Sequence, residues 1–314
     1  MALPSYATTG QRIGHYTFLT YCGMVFFFLV APIFVIIPLS FSSSPFFEFT
    51  KEMLSFDPEG YSVRWYRQML GACEKGRCFS LFGWELFCIE GETKYAITTV
   101  CTDKWMRGTV NSFFVGTVAT LLATTLGTLA ALGLSRPHMP FKGTVMALLI
   151  SPMIVPLIIS AAGMFFFYSK IGLTHTFPGL ILAHTALGTP FVVITVTATL
   201  TGFDTNLTRA SQSLGANQIR TFFKVIMPLI LPGIISGALF AFITSFDEVV
   251  VVLFVGSVEQ ITIPRQMWAG LRQETSPVIL CMATCLVILS IFLLTTVELL
   301  RRRSERLRGI KLHN

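Results

Sequence analysis

The sequence predicts an all-α membrane protein with six transmembrane helices. Hydrophobic residues make up 53% of the 314 positions and charged residues only 12%, whereas a soluble domain carries about 25% charge. Mean hydropathy is +0.69. Six apolar runs approach the ~20 residues that a bilayer core requires: 17–40, 108–134, 143–168, 177–200, 230–255 and 276–300. We therefore expect residues 1–314 to form a single transmembrane domain.

The first run is expected to remain as helix one. The segment before Tyr16 lacks the arrangement of a cleavable signal, and no convincing small-residue cleavage site follows the run. The polar stretch 42–107 follows and is the main insertion between the predicted spans.

Four of the seven cysteines lie in 42–107: Cys73, Cys78, Cys88 and Cys101. An extracytoplasmic position makes two disulfides plausible, with three possible connectivities. We favour Cys73 with Cys78 and Cys88 with Cys101, because neighbours in sequence pair most readily. Free thiols remain open, and a zinc site is disfavoured because the spacing differs from paired C-x₂-C. The stretch is expected to fold as a small aromatic-rich cap, either docking an external partner or shielding the helix ends.

Basic residues in the short loops predict the orientation. With the N-terminus in the cytoplasm, inner segments hold twelve lysines and arginines and the short outer loops hold three, Lys170, Arg265 and Arg272. Both termini are therefore placed in the cytoplasm. The net charge of +7 then reflects membrane topology, and no nucleic-acid partner is expected.

Helices two to four carry features that bear on packing. Small residues recur every four positions on helix two and permit close helix contact: Ala119, Ala123, Gly127 and Ala131. Pro152 and Pro156 are expected to distort helix three near its middle. His184 is the lone ionisable group of helix four. It is either a buried histidine satisfied by a helix neighbour, which we favour, or a gating or ligand residue of the substrate path.

The loop 201–229 between helices four and five carries capping signals. Asp204 or Thr205 can begin a short helix, and Gly215 can end it in the left-handed conformation. Asn217 can then cap a second helix that runs toward Pro228. On these residues alone, an amphipathic connector on the membrane surface is the favoured interpretation.

The same stretch resembles the cytoplasmic coupling loop of binding-protein-dependent ABC importer permeases. That family's pattern is Glu-Ala-Ala, three residues, Gly, nine residues, then Ile-x-Leu-Pro. Here Arg209-Ala210-Ser211, Gly215 and Pro228 stand at the matching positions with the same spacing. The resemblance implies the type I importer permease fold and a loop that fits a groove in a separate ATPase subunit.

Two departures from the pattern bear on that contact. Arg209 replaces the acidic residue and Ser211 replaces the second alanine. An arginine cannot make the polar contact of a glutamate. Either the ATPase of this system has a complementary acidic residue, or the contact is dispensable.

The flanking helices resemble the spermidine/putrescine permeases over about 177–300. Leu182-Ala183-His184, Pro190-Phe191-Val192-Val193 and Gly202-Phe203-Asp204 resemble helix four of that family, and Phe246-Asp247-Glu248 followed by valines resembles helix five. The resemblance implies a polyamine as the solute. Related permeases also carry opines and amino-acid-derived solutes, so these remain alternatives.

Asp247 and Glu248 fall inside the fifth apolar run. A carboxylate at the bilayer centre costs at least ~2.5–3.5 kcal/mol, so two adjacent ones require a reason. They either line a water-filled path that attracts a cationic solute, or pair with another subunit and stabilise packing. Adjacent helical residues diverge by ~100° and are not expected to serve one ligand equally. Between the two, we weakly favour Asp247 as the path residue.

Absent motifs limit the remaining possibilities. The chain has no G-x-x-x-x-G-K-[ST] and no H-E-x-x-H. No cofactor or metal is therefore expected in this chain, and the resemblance assigns ATP and magnesium to the ATPase. It also implies a second permease, from the polyamine systems a different chain, with two ATPase subunits and a periplasmic solute-binding protein. The expected place is the bacterial inner membrane, surrounded by lipid. An ion-gradient-driven transporter is the main alternative, and an intramembrane hydrolase is a weaker one.

Overall fold

The computed structural model describes residues 8–69, 77–81, 84–89, 104–136, 138–273 and 276–307. Within these ranges the chain is mainly helical. The helices are α1 Thr9–Leu39, α2 Lys51–Leu54, α3 Arg64–Met69, α4 Lys104–Leu134, α5 Lys142–Ile154, α6 Leu157–Ile171, α7 Phe177–Thr201, α8 Thr205–Ser213, α9 Gln218–Thr221, α10 Met227–Phe246, α11 Val250–Val255, α12 Ile263–Gln273 and α13 Val278–Leu307. Contacts divide the chain into two compact units, one of 1–101 with 273–314 and one of 102–272.

In the first unit, the segment after α1 folds back on the end of that helix. Ser42 pairs with Tyr61 in an isolated antiparallel bridge. The Trp65 indole N–H donates to the Ser42 carbonyl at 2.9 Å, and the hydroxyls of Ser40 and Tyr66 lie 2.7 Å apart. Burial raises the pKa of the Tyr66 phenol above its ordinary value. The described part of the predicted cap is thus ordered and anchored by aromatic side chains.

A two-stranded antiparallel hairpin follows in this unit. Strand β1 is Arg77–Leu81 and strand β2 is Trp84–Ile89. The backbone register places Cys78 directly opposite Cys88. Cys73 and Cys101 lie outside the described residues, so the favoured pairing of Cys73 with Cys78 and Cys88 with Cys101 stays a prediction.

The second unit is built on α4, α7 and α10, which pack through small residues. Ala119, Ala123 and Ala131 are fully buried on α4. A Cβ added at Gly127 of α4 would lie 2.7 Å from the Cβ of Val192 on α7. A Cβ added at Gly237 of α10 would lie 2.9 Å from the Val192 Cα. The predicted small-residue stripe therefore permits close approach between helices of the same chain.

The predicted third helix is two helices. α5 ends at Ile154, α6 begins at Leu157, and the two are bent by 101°. Val155 takes an extended conformation with ψ 135, as expected before a proline. Pro156 has no N–H and would clash with the carbonyl four residues earlier. The predicted distortion is confirmed, and it is large enough to divide the predicted run 143–168 between two helices.

Four described helical segments are long and apolar enough to cross a bilayer: Thr9–Leu39, Lys104–Leu134, Phe177–Thr201 and Gln218–Phe246. The bent pair α5–α6 gives a fifth if counted as one span. The sixth predicted run falls on α13, whose described apolar part is Val278–Phe292. The count of six spans stays a prediction.

Polar side chains of α4 fasten the segment between α11 and α12. The Asn111 side-chain amide donates to the carbonyls of Glu259 at 2.8 Å and Ile261 at 2.9 Å. The Ser112 hydroxyl accepts from the Ile263 N–H at 2.8 Å. These bonds satisfy backbone groups that have no helical partner, so the segment is fixed against α4.

Candidate functional site: the loop between α7 and α10 and the break after α10

The first helix of the loop, α8, begins and ends as the capping signals predict. The Asp204 carboxylate accepts the Asn206 N–H at 2.9 Å and caps the helix start. At the other end Gly215 has φ 84. The Gly215 N–H donates to the Gln212 carbonyl at 2.9 Å and the Ala216 N–H donates to the Ser211 carbonyl at 3.1 Å. These two bonds form a Schellman motif, in which a glycine takes the left-handed position without steric cost.

The second helix, α9, is capped and braced against α8. The Asn217 side chain accepts the Arg220 N–H at 2.8 Å. The hydroxyls of Ser211 and Thr221 lie 2.9 Å apart, and Thr221 is buried. Ser211 therefore has a structural role that the alanine of the family pattern cannot supply. The brace fixes the angle between the two short helices.

The sequence predicts a second helix that runs toward Pro228, and in the structure the helix continues past this proline. α9 continues through a π-turn, Phe222–Ile226, into α10, and the apolar run Gln218–Phe246 is helical throughout. The Met227 N–H donates to the Phe222 carbonyl, five residues earlier. Pro228 lies in the first turn of α10. The π-turn lies directly before this proline. Proline has no N–H to donate, and its ring clashes with the carbonyl of the residue four positions earlier, so the regular α-helical hydrogen bond cannot form there.

The surface of this loop is apolar and basic. Leu214 is 89% exposed, and Leu207 and Ile219 are also exposed. Arg209 and Ala210 are exposed on α8. Of the site residues predicted here, Arg209, Ala210 and Gly215 are accessible to a partner, whereas Ser211 is half-buried in the brace.

The two acidic residues lie at a helix break and not inside a helix. α10 ends at Phe246 and α11 begins at Val250, so the prediction of one helix over 230–255 is wrong. Asp247 is exposed, whereas Glu248 is only 7% exposed. The Glu248 carboxylate accepts the Val251 N–H at 2.9 Å and caps α11. A buried carboxylate that accepts an otherwise unpaired N–H stabilises the break.

His184 is buried between α7 and α10. Its Nδ1 lies 2.7 Å from the hydroxyl oxygen of Ser245, and the side chain is 1% exposed. Among the described residues its Nε2 has no hydrogen-bond partner. One ring nitrogen thus has a partner on a neighbouring helix, and the choice between a structural and a substrate-path role for His184 stays a prediction. Ser245, which sequence reasoning missed, lies 61 positions away and gives no local signal.

These features define a class of protein: a multi-span, helical membrane component with a braced two-helix loop on one side. Residues 123–306 match the family of binding-protein-dependent transport system inner membrane components, and the chain belongs to that family. It is therefore a non-catalytic permease subunit of an ABC importer in the inner membrane, and the family implies ATPase and solute-binding partners. The assignment also decides against the ion-gradient-driven transporter.

Sequence relatives cover most of the chain. The spermidine/putrescine transport system permease protein PotC of Haemophilus influenzae is 26% identical over 282 residues, which span 90% of this chain and 95% of the relative. The putrescine transport system permease protein PotI of Escherichia coli is 26% identical over 270 residues, which span 83% of this chain and 82% of that relative.

Solved structures show the same fold. A bacterial ABC transporter that imports the acidic polysaccharide alginate matches with a TM-score of 0.68 and 15% identity, covering 94% of this chain and 99% of that one. The MetNI methionine ABC transporter matches with a TM-score of 0.50 and 21% identity, over 66% of this chain and 95% of that one. The fold is that of the ABC importer permeases.

Proposed function

We propose that this permease imports a polyamine of the spermidine or putrescine type, using ATP hydrolysed by a separate subunit. The observation that carries the proposal is the match, over 90% of this chain, to a spermidine/putrescine permease. Opines and amino-acid derivatives are the alternative solutes, and the experiment below distinguishes them.

The position of Asp247 supports a cationic solute. Three side chains spaced three or four residues apart form an exposed stripe along α10 and its C-cap: Phe240, Ile243 and Asp247. The opposite face, with Gly237, Ala241 and Ser245, is buried. A carboxylate on an exposed stripe is costly against lipid tails. The stripe therefore faces a water-filled path or a second permease, where a carboxylate attracts an ammonium group.

The loop 201–229 would transmit ATPase movement to this path. Its second half is continuous with α10, because the chain is helical from Gln218 to Phe246. Because the helix is continuous, displacement of the loop would reach the break that holds Asp247 and Glu248. His184, bonded to Ser245 one turn earlier, would carry the displacement to α7.

The proposed assembly contains a second permease from a different gene, two ATPase subunits that bind ATP and magnesium, and a periplasmic solute-binding protein. The excess of basic residues in the predicted inner segments supports a cytoplasmic position for both termini.

Affinity purification from native membranes in mild detergent, followed by mass spectrometry, tests the assembly. We expect an ATPase, a second permease and a solute-binding protein. The recovered binding protein is then titrated with putrescine, spermidine, an opine and amino acids. Preferential binding of an opine or amino acid would overturn the polyamine assignment. Recovery of the chain alone, active with an ion gradient and without ATP, would overturn the importer.

A further inference from the structure

The exposed side of α8 has a defined set of side chains. Four residues on neighbouring turns are exposed, which we call the outward face: Asn206, Arg209, Ala210 and Ser213. Because successive helical residues turn by ~100°, these four fall within about a third of the helix circumference. Thr208 and Ser211, on the other side, are half-buried. Leu207 and Gln212, which flank this face, are also exposed. A docking protein can therefore meet the outward face together with its flanks.

Arg209 lies on this face, one turn from Asn206 and one turn from Ser213. Its side chain is exposed, and none of the described residues forms an ion pair or hydrogen bond with its guanidinium group. The Schellman motif at Gly215 and the hydroxyl pair of Ser211 and Thr221 fix α8 relative to α9. Arg209 is thus presented on a rigid support, which lowers the entropy cost of a specific contact.

The net charge of the loop 201–229 is positive. Arg209, Arg220 and Lys224 stand against a single acidic residue, Asp204, in 201–229. The Asp204 carboxylate already caps α8 through the Asn206 N–H. The accessible surface is therefore positive, with exposed Leu207 and Leu214 beside the cations.

We infer that the ATPase surface that receives α8 carries a carboxylate that pairs with Arg209. The inference rests on the proposed docking of this loop to an ATPase. Docking against the outward face removes water from Arg209, and a desolvated charge without a partner opposes binding. A carboxylate can accept two parallel N–H bonds from the guanidinium group. Leu207 and Leu214 supply the apolar part of the contact.

Charge reversal at matched positions tests the pairing. Arg209→Glu and Arg220→Glu change the net charge of the same loop equally, and Arg209→Lys keeps the positive charge. The ATPase retained after affinity purification is measured at low and high salt. We expect Arg209→Glu to reduce retention at least tenfold at low salt and Arg220→Glu to reduce it much less. Arg209→Lys should lose less than Arg209→Glu, because lysine keeps the positive charge but cannot form two parallel bonds. Equal losses for the two Glu variants would overturn a specific pair in favour of general attraction.

A zero-length carbodiimide cross-linker identifies the partner group, because it joins a lysine amine to a carboxylate in direct contact. In the Arg209→Lys complex we expect one cross-linked ATPase peptide. Changing its acidic residue to arginine should weaken retention of the wild-type permease and restore that of Arg209→Glu. Full retention of Arg209→Glu without a cross-link would overturn the inference and leave the importer intact. Failure of the wild-type chain to retain any ATPase would overturn the proposed function itself.

Discussion

The Nδ1 atom of His184 lies 2.7 Å from the hydroxyl oxygen of Ser245, and this bond joins α7 to α10 in the interior of the second unit. Glu248, three residues beyond Ser245, is also buried and caps α11. Hydrogen bonds of Ser245 and Glu248 therefore stabilise the two sides of the break after Phe246. The exposed Asp247 lies between these two residues.

Removing the Ser245 hydroxyl tests whether His184 is structural. In Ser245→Ala both ring nitrogens of a buried histidine lack a partner, and such a loss costs about 1–3 kcal/mol. We expect a lower melting temperature of the detergent-solubilised complex, with uptake retained at temperatures well below it. Ser151→Ala is the control, since the Ser151 hydroxyl bonds an exposed backbone carbonyl of its own helix. Loss of uptake at an unchanged melting temperature would instead assign His184 to the solute path.

Gly215→Val tests the turn of the coupling loop. The left-handed backbone at φ 84 costs a β-branched residue at least about 1–2 kcal/mol, so the Schellman motif should open. We expect substrate-stimulated ATP hydrolysis to be lost in proteoliposomes while membrane insertion is kept. Gly202→Val is the matched control, because Gly202 has φ −88 and an added Cβ would meet nothing closer than 3.9 Å. Unchanged stimulation in Gly215→Val would exclude a coupling role for the turn.

Asp247 and Glu248 are expected to respond differently to neutralisation. Asp247→Asn keeps the shape of an exposed side chain and removes its charge, so uptake of a cationic solute should fall more than ATPase retention. Glu248→Ala removes the cap of α11, which costs about 0.5–2 kcal/mol, and should lower the melting temperature. Uptake and thermal melting of both variants are compared with the wild type. If Asp247→Asn reduces uptake and ATPase retention equally, Asp247 has a packing role.

The hairpin register leads to a prediction about the cysteines. Directly opposed residues of an antiparallel pair have Cα atoms about 4.5–5.5 Å apart, which falls within the range that disulfides require. We therefore expect Cys78 to pair with Cys88, in place of the sequence-based preference. Non-reducing digestion and mass spectrometry of the purified permease should find this linked peptide. Cys73 joined to Cys78 would support the earlier preference and show that the hairpin pairing does not decide the connectivity.

The local parts of the candidate site were predictable from sequence. The caps at Asp204 and Asn217 and the left-handed Gly215 follow from side chains that act within three residues of themselves. The family pattern was recognised from Ala210, Gly215 and Pro228 and from the spacing between them.

Contacts between distant residues were not predictable. The bonds of Ser211 with Thr221 and of His184 with Ser245 depend on how helices are arranged in space. The break at Pro156 was expected from the proline itself, but hydropathy gave no sign of the break after Phe246, since it records apolar residues and carries no information on backbone direction. For this reason a single helix over 230–255 was expected where the chain forms α10 and α11.

The π-turn at Phe222–Ile226 sets the rotational phase of α10. Five residues occupy a turn that four would fill in an ordinary α-helix, so everything beyond the turn is rotated by about 100° relative to α9. Deleting one residue there would restore regular bonding but swing Gly233 and Gly237 away from Thr199 and Val192, which they contact closely. The same rotation would carry Asp247 off its exposed stripe. One extra backbone unit thereby determines which side of the helix carries the charge.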